Sequence, residues 1–185
     1  MSDARLYQVL QKIDEDMACD AREAGCPCGG VLHSARYPRK PRGVSPSDLG
    51  DGYDKRLSFC CAKEGCRHRT TPPSVRFLGR KVYLGAVVVL ATALRHGPTP
   101  YRLRRLRELF GVSGRTLERW RNFWRVAFAQ SDFWRAGRGR FVPPVAEQEL
   151  PGSLLERFGG EQPLALMLSF VAPITAGSWA GGMAF

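Results

Sequence analysis

The sequence predicts a mainly α fold with a small β zinc ribbon, a helix-turn-helix core and an irregular C-terminal tail. Three observations support this fold class: cysteines in two clusters, apolar residues at helical spacing, and a pattern typical of two helices joined by a tight turn. We expect four regions along the chain. They are an amphipathic helix (1–24), a ribbon-like module with a long basic loop (25–79), a helical module (80–130), and a basic arm followed by a Pro- and Gly-rich apolar tail (131–185).

The first region has apolar residues at helical spacing and acidic residues opposite them, which predicts a short amphipathic helix over 3–18. Residues 37–54 are rich in Pro, Gly, Ser and Asp and predict a long loop, whereas 56–61 alternate as in a short strand. The segment 80–97 contains an uncharged stretch that is too short to span a membrane, so we expect a buried helix there.

The cysteines predict a metal site. The chain lacks the basic and apolar start of a secretory signal, and in a reducing compartment clustered cysteines hold metal more often than they form disulfides. One pair is followed by two glycines, and a second pair ends at Cys66. Cys61 is preferred to Cys60 as its first member, because Phe59 and Cys61 share one face of a strand and an aromatic residue commonly packs beneath such a site.

We therefore expect one structural zinc ion. Its predicted ligands are Cys26, Cys28, Cys61 and Cys66, and the alternates are Cys60, His33 and His68. Four thiolates leave no open coordination position for water, so the site is not expected to be catalytic. The remaining cysteine, Cys19, is expected to be a packing residue. Idle, reduced cysteines are the alternative interpretation.

Positive charge is concentrated in the middle of the chain. Residues 33–140 contain 24 basic and 7 acidic side chains, a net charge of +17, whereas the rest of the chain has a net charge of −6. A concentrated positive field attracts polyanions, of which nucleic acid is the commonest large one.

Residues 103–124 match the apolar pattern of a helix-turn-helix, counted from Leu103 as its first position. Apolar residues stand at the fourth, eighth, tenth, fifteenth and eighteenth positions, which are Leu106, Phe110, Val112, Leu117 and Trp120, and Gly111 stands at the turn. Arg107 replaces a residue that is usually small, so we expect either a wider spacing of the two helices or a guanidinium that points outward on an apolar stem. A helical hairpin with a solvated arginine face is the alternative.

In a helix-turn-helix the second helix enters the major groove of DNA, and here Ser113 is expected to be its N-cap. Arg115 and Arg119 suit guanine and Asn122 suits adenine, whereas the surrounding arginines suit phosphates. The arm that follows suits a minor-groove or backbone contact, or is a plain linker. The candidate DNA-binding residues are Arg102, Arg104, Arg105, Ser113, Arg115, Thr116, Glu118, Arg119, Asn122, Arg125, Arg138 and Arg140.

The tail combines apolar residues with many prolines and glycines. Over 163–185 this composition favours a buried or partner-binding extension over membrane insertion. Residues 151–158 predict a short helix with Ser153 as its cap.

The segments "CPCGG", "FCCAKEGCRHRTTP" and "LFGVSGRTLERW" follow one another over about residues 25–125. In this order they resemble the N-terminal DNA-binding region of bacterial insertion-sequence transposases, and the small zinc-ribbon proteins carried beside them. The resemblance implies binding to element ends or promoters. Those transposases continue into a catalytic domain with three spaced carboxylates, for which the tail here is too short and irregular, so no strand transfer by this chain alone is expected.

We therefore expect a non-enzymatic, sequence-selective protein that binds double-stranded DNA and is associated with a mobile element. A transposase or recombinase, or a second copy docking through 141–185, is the expected protein partner, with no small-molecule substrate and a cytoplasmic, nucleoid-associated location. The alternatives are a transcriptional regulator, a nuclease or recombinase subunit with a Mg²⁺ site at acids such as Asp48, Asp51 and Asp54, and a subunit whose arginines meet RNA or an acidic partner.

Overall fold

The computed structural model describes residues 4–39, 51–78, 82–83 and 99–176 of the 185-residue chain. About half of the described residues are helical, and the strands are short and antiparallel. This composition confirms the mainly α class with a small β component. The candidate Mg²⁺ ligand Asp48 lies outside the described residues.

The first helix, α1 (Ala4–Glu23), begins near the predicted position and continues five residues beyond the predicted end. Its apolar stripe buries Leu10, and Ile13 and Met17 pack beside it against the main core. The helix ends before Gly25, whose φ of 72° is the left-handed conformation that commonly stops a helix. This packing places α1 against the C-terminal part of the chain.

Seven short strands build the β part of the described chain: β1 (Leu32–Ser34), β2 (Tyr37–Pro38), β3 (Lys55–Arg56), β4 (Phe59–Cys61), β5 (Arg69–Thr70), β6 (Phe77–Leu78) and β7 (Val82–Tyr83). The order β1-β4-β5 forms a three-stranded antiparallel sheet, and β2-β3 and β6-β7 form separate pairs. The predicted strand over 56–61 is divided between β3 and β4. The predicted helix over 80–97 is wrong at Val82 and Tyr83, which pair with Leu78 and Phe77, and the rest of that range lies outside the described residues.

Two helices, α2 (Pro100–Phe110) and α3 (Gly114–Asn122), are joined by three residues, and α3 continues into a π-helical segment, Phe123–Phe128. Gly111 has a φ of 62° at the start of the turn, and Val112 is buried. The Ser113 hydroxyl accepts the N–H of Thr116, as expected of an N-cap. On α3, Leu117 and Trp120 face the core and are nearly fully buried.

The region after Ser131 is more regular than the sequence predicted. Helix α4 (Asp132–Gly137) and a 3₁₀ turn, Arg138–Arg140, replace the expected flexible arm. Two further helices follow, α5 (Gly152–Leu155) and α6 (Pro163–Val171), and then a 3₁₀ segment, Ala172–Thr175. The irregular tail was therefore a wrong prediction over much of 131–175. Ser153 lies inside α5, where its hydroxyl donates to the Ala146 carbonyl at 2.7 Å rather than capping the helix.

Aromatic and aliphatic side chains of the π-helical segment, α4 and α6 explain this order. Trp124, Phe128 and Trp134 are fully buried, and the rings of Trp124 and Phe128 lie 4.7 Å apart. From α6, Met167 and Leu168 enter the same core. Burial of large apolar side chains contributes about 1.5–3 kcal/mol each, which offsets the entropy lost by ordering the tail.

A buried carboxylate joins α1 to the segment that follows Pro72 and Pro73. Asp14 accepts hydrogen bonds from the Ser74 hydroxyl (2.6 Å), the Val75 N–H (2.7 Å) and the Arg76 Nε (2.8 Å). The side chains of Asp14 and Arg76 are 0% and 2% exposed. This Asp14–Arg76 pair is thus removed from water and satisfied by protein groups alone.

The same cluster reaches two further segments. The Arg76 guanidinium donates to the carbonyls of Tyr53 (2.9 Å) and Lys55 (3.2 Å). The Ser74 N–H donates to the Thr175 hydroxyl at 2.7 Å. Four segments that are distant in sequence therefore meet at one set of buried hydrogen bonds.

Candidate functional site

The first cysteine pair lies on a tight turn. The Gly29 N–H donates to the Cys26 carbonyl at 2.8 Å, and Gly29 has a φ of 75°. A Cβ on Gly30 would lie 2.5 Å from the Cys61 Sγ and 2.9 Å from the Lys63 Cβ. Only glycine therefore allows the first turn to approach the second pair so closely.

The second pair starts at the end of β4 and ends after another turn. The Cys66 N–H donates to the Lys63 carbonyl at 3.1 Å, and Gly65 has a φ of 79°. The Cys61 N–H donates to the His68 carbonyl at 2.9 Å, which ties the two ends of the turn together. This backbone directs both sulfurs toward the first pair.

The four cysteine sulfurs form one compact group. The Sγ of Cys26 lies 3.4 Å from that of Cys28 and 3.8 Å from that of Cys66, and the sulfurs of Cys28 and Cys61 are 3.5 Å apart. All four ligand atoms lie within 4.8 Å of one another. These cysteines are free, and their sulfurs are too far apart for disulfide bonds, which are about 2.05 Å long. The group is therefore able to hold a metal ion.

The alternates lie outside this group. Cys61 is fully buried and pairs with Leu32 across the sheet, whereas the Cys60 sulfur lies on the other face, 3.7 Å from the Arg67 carbonyl oxygen. His33 and His68 are both exposed. The strand-alternation argument thus selected the cysteine that the structure brings to the cluster.

Cys19 does not pack in the core as expected. It is exposed, and its Sγ lies 3.5 Å from the Glu23 carboxylate. Cys19 lies on the solvent-exposed side of α1, roughly opposite the side from which Leu10, Ile13 and Met17 enter the core.

The pKa values of Cys28 and Cys61 are shifted in opposite directions. Hydrogen bonds from Cys66, from the Gly30 N–H and from the other two cysteines lower the pKa of Cys28 to about 6. For Cys61 the Lys63 N–H acts to lower the pKa, but burial and the three neighbouring thiols raise it to about 12. Formation of the Cys28 thiolate is thus favoured, whereas ionisation of Cys61 is disfavoured.

The arginine-bearing helices present a different surface. Arg104, Arg105 and Arg107 of α2 are exposed, which agrees with the outward Arg107 expected from the pattern. On α3 the exposed residues include Arg115, Glu118, Arg119 and Asn122. The Arg102 side chain lies outside the described part of the structure.

Two of the candidate DNA-binding residues, Thr116 and Arg138, make hydrogen bonds within the protein. Thr116 is 8% exposed, and its hydroxyl lies 3.0 Å from the Ser113 hydroxyl and accepts from the Arg119 Nη2 at 3.4 Å. Arg138 donates to the Glu147 carboxylate at 3.0 Å. Thr116 therefore positions Arg119, and Arg138 is held by an acid of the same chain.

The two remaining basic candidates differ in exposure. Arg125 is half-buried, and burial, with a smaller effect of Arg121, lowers its pKa. Arg140 is exposed at the end of the 3₁₀ turn.

Comparison with protein-family models, with curated proteins and with solved structures finds no match. Each helix in the described ranges is too short or too polar to cross a lipid bilayer.

Proposed function

We propose that this protein binds double-stranded DNA sequence-selectively through α3, with a zinc ion stabilising the ribbon-like β module. The observation that carries the proposal is the outward face of α3, which presents Arg115, Arg119 and Asn122 and follows a three-residue link from α2. In a helix-turn-helix this is the part of the second helix that contacts base edges.

The roles of the side chains follow from their chemistry. Arg115 and Arg119 are long, planar donors that match the O6 and N7 acceptors of guanine, and Asn122 matches adenine. The exposed Arg104 and Arg105 precede the turn and suit phosphates, which add affinity without sequence information. Arg138 contributes less than expected from the sequence, because Glu147 already pairs with it.

Zinc is the metal we propose for the cysteine cluster. Four zinc–sulfur bonds of about 2.3 Å in a tetrahedron set the sulfurs about 3.8 Å apart. Three of the sulfur–sulfur spacings here, 3.4, 3.5 and 3.8 Å, are close to that size. The ion closes the chain between residues 26 and 66, where the apolar core is small, so we assign it to folding rather than to catalysis.

We extend the proposal to a mobile element on the sequence resemblance alone, with binding of element ends at the nucleoid and no strand transfer by this chain. Residues 163–175 pack into the protein's own core. Less of the segment 141–185 is therefore available for docking a partner than the sequence suggested.

The test is selection of bound duplexes from a random pool by the zinc-loaded full chain. We expect an enriched sequence, with binding that weakens steeply as salt rises because counterions are released from the phosphates. Arg119→Ala should weaken binding to that sequence by about 1–3 kcal/mol and binding to random DNA far less. Lys12→Ala removes an exposed cation of α1 and serves as the control. A pool without enrichment would contradict the proposal.

A further inference from the structure

Glu118 lies on one side of the surface that we propose to face DNA. Successive residues of an α-helix are turned by about 100°, so Arg115, Glu118, Arg119 and Asn122 fall within an arc of about 100° on α3. All four are exposed. A helix face suited to a polyanion thus includes one carboxylate, which lies at the edge of the arc beside Asn122.

Glu118 also differs from the other acids of the helical region. Over the described residues 99–150 those acids have partners: Glu108 pairs with Arg105, Asp132 with Arg135 and Glu147 with Arg138, and Glu149 also makes an interaction. Glu118 makes no ion pair or hydrogen bond in this part of the chain, although Arg115 and Arg121 lie three residues away on either side. Side chains at that spacing are neighbours on a helix.

The neighbouring arginine is instead held by a hydroxyl. The Arg119 Nη2 donates to the Thr116 Oγ1, which itself lies beside the Ser113 cap. The guanidinium is therefore directed toward the start of α3, and the adjacent carboxylate remains available to an external donor.

An ionised carboxylate is negatively charged, so it repels phosphate. It also only accepts hydrogen bonds, so it cannot bind the acceptors of guanine or the O4 of thymine. The donors that bases present in the major groove are the amino groups of cytosine and adenine, and Glu is the usual partner of cytosine N4. We propose that Glu118 is a specificity-determining residue that accepts a hydrogen bond from the N4 amino group of a cytosine. This inference rests on the proposed DNA binding through α3.

Such a residue acts in two ways. It attracts the one base that offers a suitably placed amino group, and it repels sequences that place a carbonyl oxygen at the same point. It also lowers affinity for DNA of any sequence, so it increases discrimination at a cost in overall binding.

The experiment uses the duplex enriched by the zinc-loaded full chain and a set of duplexes that carry each single base-pair change. Dissociation constants are measured for the unchanged protein, Glu118→Ala, Glu118→Gln and the control Glu108→Gln. For the unchanged protein we expect one C·G position whose replacement weakens binding roughly five- to 150-fold. Glu118→Ala should remove discrimination at that position alone, and Glu118→Gln should move the preference there toward adenine, which an amide pairs with.

Both Glu118 variants should also bind random duplexes more tightly, whereas Glu108→Gln should keep the base preferences of the unchanged protein. Because Glu118 is exposed, we expect its variants to have the same melting temperature as the unchanged protein. This measurement is the control for correct folding. If the unchanged protein selects a sequence and both Glu118 variants keep every base preference, the assignment of Glu118 is wrong and the DNA-binding proposal stands. If the unchanged protein selects no sequence, both fall.

Discussion

Replacing Asp14 with Asn tests whether the buried Asp14–Arg76 pair stabilises the fold. The change keeps the size of the side chain but removes the charge that faces a 2%-exposed guanidinium. It also turns a pure acceptor of three hydrogen bonds into a group that presents an N–H₂ toward the Ser74 or Arg76 donors. Breaking a buried ion pair on one side costs about 3–5 kcal/mol, so we expect the free energy of unfolding to fall by that amount.

The measurement is urea-induced unfolding with zinc in excess, followed by circular dichroism and extrapolated to water. The control is Asp16→Asn on the same helix, because the side chains of its ion pair with Lys12 are mostly exposed and should contribute little to stability. Combining Asp14→Asn with Arg76→Met should destabilise less than the two single changes added together, because residues in contact are coupled. Equal losses for Asp14→Asn and Asp16→Asn would refute the reasoning.

Three further predictions concern the metal cluster and the ordered tail. Metal analysis should find about one zinc per chain, lost in Cys66→Ser but kept in Cys60→Ser; a folded protein without metal would reject the site. Gly30→Ala should weaken zinc binding, measured by competition with a chelator, because the added Cβ meets the Cys61 sulfur, whereas Gly159→Ala has open space and should not. Hydrogen bonds from the Trp134 indole and then from Arg138 lower the pKa of Glu147, so its stabilising effect is complete above its ordinary pKa of 4.5 and is lost as the pH falls further. Stability measured by acid unfolding, followed by tryptophan fluorescence, should therefore depend less on pH in Glu147→Gln than in the unchanged protein. Identical unfolding curves for the two proteins would argue against a contribution from Glu147.

Residue type and local spacing were sufficient to predict the cysteine cluster. Turn residues beside Cys26 and Cys28 and the alternation that separates Cys60 from Cys61 are properties of a few neighbouring positions. The cap at Ser113 and the inward Leu117 were predictable for the same reason.

The ordered tail was missed because proline was interpreted only as a helix breaker. Pro163 stands in the first turn of α6, where the missing N–H is not needed and the fixed φ suits a helix. Ser131 followed by Asp132 is also a helix-start signal, and its hydroxyl accepts the Trp134 N–H at 3.1 Å.

The Asp14–Arg76 pair was missed for a different reason. Asp14 falls on the apolar stripe of α1 beside Ile13 and one turn from Leu10, which signals a buried carboxylate. Its partner lies far along the chain, and local patterns contain no information about such pairs. The identity of the partner therefore required the tertiary structure.

The bond between the Ser74 N–H and the Thr175 hydroxyl also has a consequence for the newly made polypeptide. The two cysteine turns can join as soon as residue 66 has left the ribosome, and they need only a metal ion. The cluster around Asp14 lacks its last member until translation has reached residue 175. Arg76 therefore lacks its complete native surroundings until the segment that lies 101 residues beyond Ser74 has been synthesised, so we expect this cluster to form later than the cysteine turns.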